Sequence, residues 1–114
     1  MQNPGIGFLV KQAQKMQEEI SRIKQELVNM KVTGSAGGGM VVATANGRQQ
    51  IIDIKIDSEL IRSDDTEMLE ELVVAAVNQA LDRSQELANE QLNKATGGIL
   101  SNLPDSLKIP GLGI

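Results

Sequence analysis

The sequence predicts an α+β fold of order α-β-β-β-α, with a three-stranded antiparallel sheet between a long N-terminal and a long C-terminal helix. Three observations predict it. Apolar residues recur at alternating four- and three-residue steps over residues 9–31, the period drops to about two near Val32, and a second, wider helical stripe runs from Leu69 to Ala88.

The first helix is the most regular element. Leu9, Ala13, Met16, Ile20, Ile23, Leu27 and Met30 fall on one narrow stripe, a coiled-coil seam too thin for an ordinary globular core and suited to a partner helix. With Leu9 at d, Glu19 and Glu26 fall at g and Lys24 and Lys31 at e, so each Glu precedes a Lys by the five residues at which g and e meet across a parallel pair. Met16, Ile20, Ile23, Leu27 and Met30 are therefore the candidate dimerisation residues. The stripe leaves open whether the seam closes within a protomer, between protomers or against the second helix.

The strands follow. Val32-Thr33-Gly34 opens a short first strand, residues 35–39 form a Gly-rich loop, and Met40 to Ala45 make a second strand. Asn46-Gly47 predicts a tight type I′ hairpin turn, because both central residues of that turn need positive φ. The third strand, Gln50 to Asp57, alternates strictly through Ile52, Ile54 and Ile56, so the sheet is covered on one face and wet on the other. Ser63-Asp64-Asp65-Thr66-Glu67 is a helix start, with cap residues and acidic side chains that favour the dipole. The helix that follows buries Leu69, Leu72, Val73, Ala76, Val77, Ala80, Leu81, Leu87 and Ala88 and stops at Gly97-Gly98. Residues 1–98 read as a single domain, and 99–114 as an irregular Pro/Gly-containing tail that docks elsewhere or moves.

Composition excludes whole classes of function. Phe8 is the sole aromatic among 114 residues, so bases cannot stack on several aromatic side chains as they do in single-strand readers. With no Cys and no His, thiol nucleophiles, disulfides, the usual zinc sites and His-based acid/base chemistry are all removed. No signal sequence or bilayer-length apolar run occurs, which reads as an unexported soluble protein with no membrane partner.

The net charge of −4 conceals an asymmetry: +2 over residues 1–33, zero over 34–63, and −6 over 64–95. The first helix is the only basic element. Lys11, Lys15 and Arg22, at f, c and c, share its outer face over about 16 Å, a span that matches a short run of duplex phosphates. Gln12 and Gln14 beside them can donate to phosphates or read base edges. On a two-fold dimer the patch is doubled. A solvated helix face is the plainer reading of the same residues.

Other candidate sites read as structure. The run Gly34 to Gly39 lacks the Gly-Lys-Ser/Thr and the following helix of a phosphate loop. Asp53 and Asp57, or Glu67, Glu70 and Glu71, would need to converge in a cleft to serve a hydrolase or a divalent metal. A wet sheet face and a helix dipole explain them without one. No catalytic residue, cofactor, metal or small-molecule substrate is assigned.

In order and spacing, several strings resemble the bacterial YbaB/EbfC family of nucleoid-associated proteins. They are Lys11 to Gln17, Val32-Thr33-Gly34 with the Gly-rich loop, Asn46-Gly47, Ile56-Asp57, Asp64-Asp65 with Glu67 to Leu72, Ala75 to Ala80, and Ile109-Pro110-Gly111-Leu112. The resemblance implies a cytoplasmic, tweezer-like homodimer that binds double-stranded DNA at the nucleoid, with no catalysis and no cofactor, and with Lys11 and Lys15 as DNA contacts. Arg22 comes from the residue reading alone. The second strand lacks the basic residue common in that family, and Gln79 stands where an acidic residue is commoner. The competing reading is a protein interaction module using the acidic second helix and the tail.

Overall fold

The computed structural model describes residues 4–95, and only the backbone of Pro4. The elements are α1 (Pro4–Leu27), β1 (Lys31–Ala36), β2 (Val41–Asn46), β3 (Ile51–Ile56), α2 (Ser58–Arg62) and α3 (Thr66–Ala95). This is the expected α-β-β-β-α order with one short helix added. The helix stop at Gly97-Gly98 and the 99–114 tail lie outside the described residues. Two compact units make up the described residues: Leu27–Ala88, and residues 4–26 together with 89–95.

In the first unit the strands run antiparallel in the order β1-β2-β3. Val41, Ala43 and Ala45 of β2 have no exposed surface, and they form one core with Leu60, Ala76 and Ala80. The small side chains have a geometric purpose. A Cβ on Gly34 would stand 2.4 Å from both the Ala76 carbonyl oxygen and the Ala80 nitrogen, so β1 and α3 touch backbone to backbone there. Ser84, also wholly buried, donates from Oγ to the Asn46 carbonyl at 2.6 Å and accepts from the Gln49 N–H at 2.9 Å. Two further α3 side chains reach β1: Gln79 Oε1 accepts from the Ser35 N–H at 2.8 Å and Arg83 Nη1 donates to the Thr33 carbonyl at 2.7 Å. Each satisfies a main-chain group that no fourth strand is there to bond.

The structure departs from the sequence expectations at the element ends. α1 stops at Leu27, so Met30 and Lys31 lie beyond the helix in which they take d and e. The Leu27 carbonyl accepts from the Gly47 N–H at 2.8 Å and from the Met30 N–H at 3.2 Å, which ends the ladder. β1 continues past Gly34, because Ser35 and Ala36 pair with Val42 and Val41. The turn is left to Gly37, Gly38 and Gly39, with φ of +65°, +65° and +94°, a run that residues with a Cβ rarely adopt.

The Asn46-Gly47 turn is not type I′. Neither residue has positive φ; Gln49 does, at 59°. Asn46 Oδ1 instead accepts from the N–H groups of Arg48 and Gln50, at 2.9 and 3.2 Å, so the side chain builds a longer loop. Gly47 is required by proximity, since its Cβ would lie 2.7 Å from Leu27 Cδ2 and 2.8 Å from the Leu27 carbonyl oxygen.

The strict alternation of β3 is also interrupted. Thr44 pairs with Asp53 but Ala45 with Ile51, which leaves Ile52 as the extra residue of a bulge. Ile54 and Ile56 still lie opposite Ala43 and Val41 on the covered face. α2, which the periodicity did not predict, is too short to show a helical repeat. It is capped by Asp57, whose Oδ1 accepts from the Glu59 N–H at 2.8 Å, and it buries Leu60. α3 starts as expected, with Asp65 Oδ1 accepting from the Met68 N–H at 3.0 Å.

Candidate nucleic-acid interface

α1 carries the basic face. At 100° per residue, Lys11, Lys15 and Arg22 fall within an arc of about 40°, with Gln14 about 60° beyond one edge of it and Gln12 about 60° beyond the other. All five are exposed. Gln14 and Arg22, with Gln17, Glu18, Ser21 and Gln25, line an open depression along the helix.

The three cations are not equivalent. Among the described residues Lys11 and Lys15 have no ion pair, whereas Arg22 is held by Glu19 at 2.7 Å and Glu26 at 2.6 Å. Hydrogen bonding and then charge from Arg22 hold the Glu19 carboxyl below its ordinary range, and the same carboxylates raise the guanidinium above its own. Arg22 is thus outweighed by its two carboxylates, and Lys11 and Lys15 present free charge. The signal was in the sequence: Glu19 and Glu26 stand at i−3 and i+4 from Arg22, both helical contact spacings. This pairing also occupies both g-position glutamates, and Lys31 belongs to β1. The Glu–Lys pattern expected across two parallel helices is therefore not presented as such.

Burial along the seam is graded. Leu9 is 66% exposed and Ala13 is exposed, Met16 and Ile20 are half-buried, and Ile23 and Leu27 are down to 5% and 3% in the single chain. Met30, half-buried, lies in the connection to β1. Ile6, Phe8 and Val10 are exposed as well, which leaves the N-terminal part of α1 apolar and uncovered.

The carboxylates do not assemble a catalytic or metal site. Asp57 is committed to capping α2, Asp53 is exposed on β3, and among the described residues no three acidic side chains converge to hold a cation. Glu67, Glu70, Glu71, Asp82, Glu86 and Glu90 are all exposed along α3. Among the described residues no helix is long and apolar enough to cross a membrane.

Comparison with known proteins gives consistent matches. The sequence model of the YbaB/EbfC DNA-binding family matches residues 2–99. A nucleoid-associated protein of Caldanaerobacter subterraneus subsp. tengcongensis is 48% identical over 99 residues, covering 87% of each chain. One of Thermoanaerobacter pseudethanolicus is 47% identical, covering 94% of this chain and 89% of its own. The crystal structure of an uncharacterized Helicobacter pylori protein has a similar fold, with a TM-score of 0.67 at 25% identity, covering 85% of this chain and 99% of that one.

Proposed function

Because the chain belongs to the YbaB/EbfC DNA-binding family, a family of DNA-binding and not of catalytic proteins, we propose that it binds double-stranded DNA as a homodimer at the nucleoid, in the cytoplasm. It does so mainly through phosphate contacts from α1. The observation that carries this reading is the pair of unneutralised cations Lys11 and Lys15, exposed on one face of a helix. Two such cations one turn apart suit neighbouring phosphates of a duplex backbone, and they carry no sequence information by themselves. Gln14, on the flank of that face, adds a polar donor. Gln12, on the opposite flank at the same angular distance, adds another. Arg22 contributes less than either lysine, because a phosphate must first displace Glu19 and Glu26.

Self-association is part of the same reading. It supplies a second copy of the basic face and so doubles the phosphate contacts. On α1, Met16 and Ile20 retain exposed area for a partner helix, while Ile23 and Leu27 have little left to give.

Competition on a labelled mixed-sequence duplex tests the preference for double strands. Unlabelled duplex of unrelated sequence should displace it efficiently and single strands of equal length poorly, since the chain has only Phe8 on which to stack bases. Equal displacement by single strands, or no saturable binding at low salt, would remove the proposal.

A further inference from the structure

Phe8, the sole aromatic of the chain, stands 61% exposed on α1. Its exposed neighbours Ile6 and Leu9 fall at a and d and prolong the seam, and Val10 falls at the flanking e position. Phe8 falls at c, on the outer face, where a seam-paired helix has no use for an apolar side chain. Lys15 and Arg22 occupy c as well, one and two heptads on. At 100° per residue Phe8 lies about 20° from Lys15 and about 60° from Lys11 round the helix, and about 10.5 and 4.5 Å from them along its axis. The ring therefore belongs to the face of the two lysines, which have no ion pair among the described residues, and not to the apolar stripe.

A polyanion held by Lys11 and Lys15 is brought up against Phe8. A ring in that position gains free energy only where the partner offers it apolar surface. Phosphates offer none. On a duplex the thymine methyl offers a point contact that any aliphatic side chain could make, whereas the face of a base, uncovered when a step unstacks, matches a flat ring over its whole area. We infer that Phe8 is a wedge that enters an unstacked base step and kinks the duplex while Lys11 and Lys15 hold the neighbouring phosphates. The inference rests on the duplex-binding reading of the proposed function and adds a preference to it. Entry is easiest where a step opens easily, so flexible pyrimidine–purine steps are favoured over stiff A-tracts although no base edge is read.

Short duplexes of equal length, carrying a dye at each end, test it by energy transfer and anisotropy together. One has a single central TA step and the other a central A-tract. Wild type should bring the ends of the TA duplex closer and bind it about three-fold to ten-fold more tightly than the A-tract duplex. F8A should bind both duplexes alike and bend neither, with an unchanged salt slope because no charge is removed. F8L, which keeps an apolar wedge, should retain most of the bend. The melting temperature and sedimentation of F8A should match wild type, since the side chain is exposed and off the seam. Uracil in place of thymine, which removes the C5 methyl, should leave wild-type affinity unchanged. Duplex binding without bending, a bend that survives F8A, an affinity that follows the thymine methyl, or an F8A protein that no longer self-associates would overturn the inference and leave the DNA reading standing. No binding of wild type to either duplex at low salt would remove both.

Discussion

Replacing Gly34 with alanine should destabilise the fold by about 3 kcal/mol, at the upper end of the ordinary range for overpacking. The added methyl would stand 2.4 Å from the Ala76 carbonyl oxygen and the Ala80 nitrogen, and both are main-chain atoms of a continuous helix. No side-chain rotation relieves that contact. α3 must lift from β1, loosening the wholly buried Ala76 and Ala80 and lengthening the bonds from Gln79 to Ser35 and from Arg83 to Thr33. Urea denaturation should show a lower midpoint, and the melting temperature should fall by about 10–20 °C. Gly38→Ala is the control. Its Cβ would meet nothing within 4 Å, and the only penalty is a φ of +65°, which costs about 1 kcal/mol. Equal effects from the two substitutions would mean that conformational freedom, and not close approach, explains Gly34.

The second large effect concerns the basic face. Lys11→Ala with Lys15→Ala removes two exposed charges per chain, or four per dimer. Neither lysine has an ion pair to lose among the described residues, so the fold and the oligomer should be unchanged. Duplex affinity at low salt should drop by about ten-fold to a hundred-fold, uniformly across sequences, because phosphate contacts carry no base discrimination. Arg22→Ala should cost less than either lysine substitution. Its loss also frees Glu19 and Glu26, which makes a modest fall in affinity possible by repulsion and separates that position from a direct contact only when Glu19→Gln is compared alongside. Undiminished binding by the double lysine variant would refute the assignment of Lys11 and Lys15 as the phosphate contacts.

Much of the fold was legible because most elements are set by long, regular patterns. The seam of α1, the change of period at Val32 and the wide stripe of α3 each give an element its type without tertiary information. What escaped were features set by contacts distant in the chain. Gly34 and Gly47 look like loop glycines, yet each is fixed by another segment pressing against it, α3 for one and Leu27 for the other. Ser84 interrupts an apolar stripe and so reads as a surface position, although it is buried and joins Asn46 to Gln49. The bulge at Ile52 is invisible in a sequence that alternates through it. α2, at five residues, is shorter than any helical repeat.

The site was legible in a different proportion. Clustering Lys11, Lys15 and Arg22 on one face needed only helical spacing, and the structure keeps them there. The same spacing applied to Glu19 and Glu26 would have separated Arg22 from the two lysines. Asp57 shows the converse: as one of two acids on a strand it resembled half of a carboxylate pair, and its function is to start α2.

The salt dependence of duplex binding tests the central claim most directly. Fluorescence anisotropy of a labelled mixed-sequence duplex, titrated with wild-type protein across a series of salt concentrations, gives the slope of log K against log salt. With Lys11 and Lys15 of both protomers on phosphates, that slope should be about −3.6. Saturable binding that weakens along such a line is the result predicted. A slope near zero, or no binding at the lowest salt, would contradict a phosphate-held complex on α1.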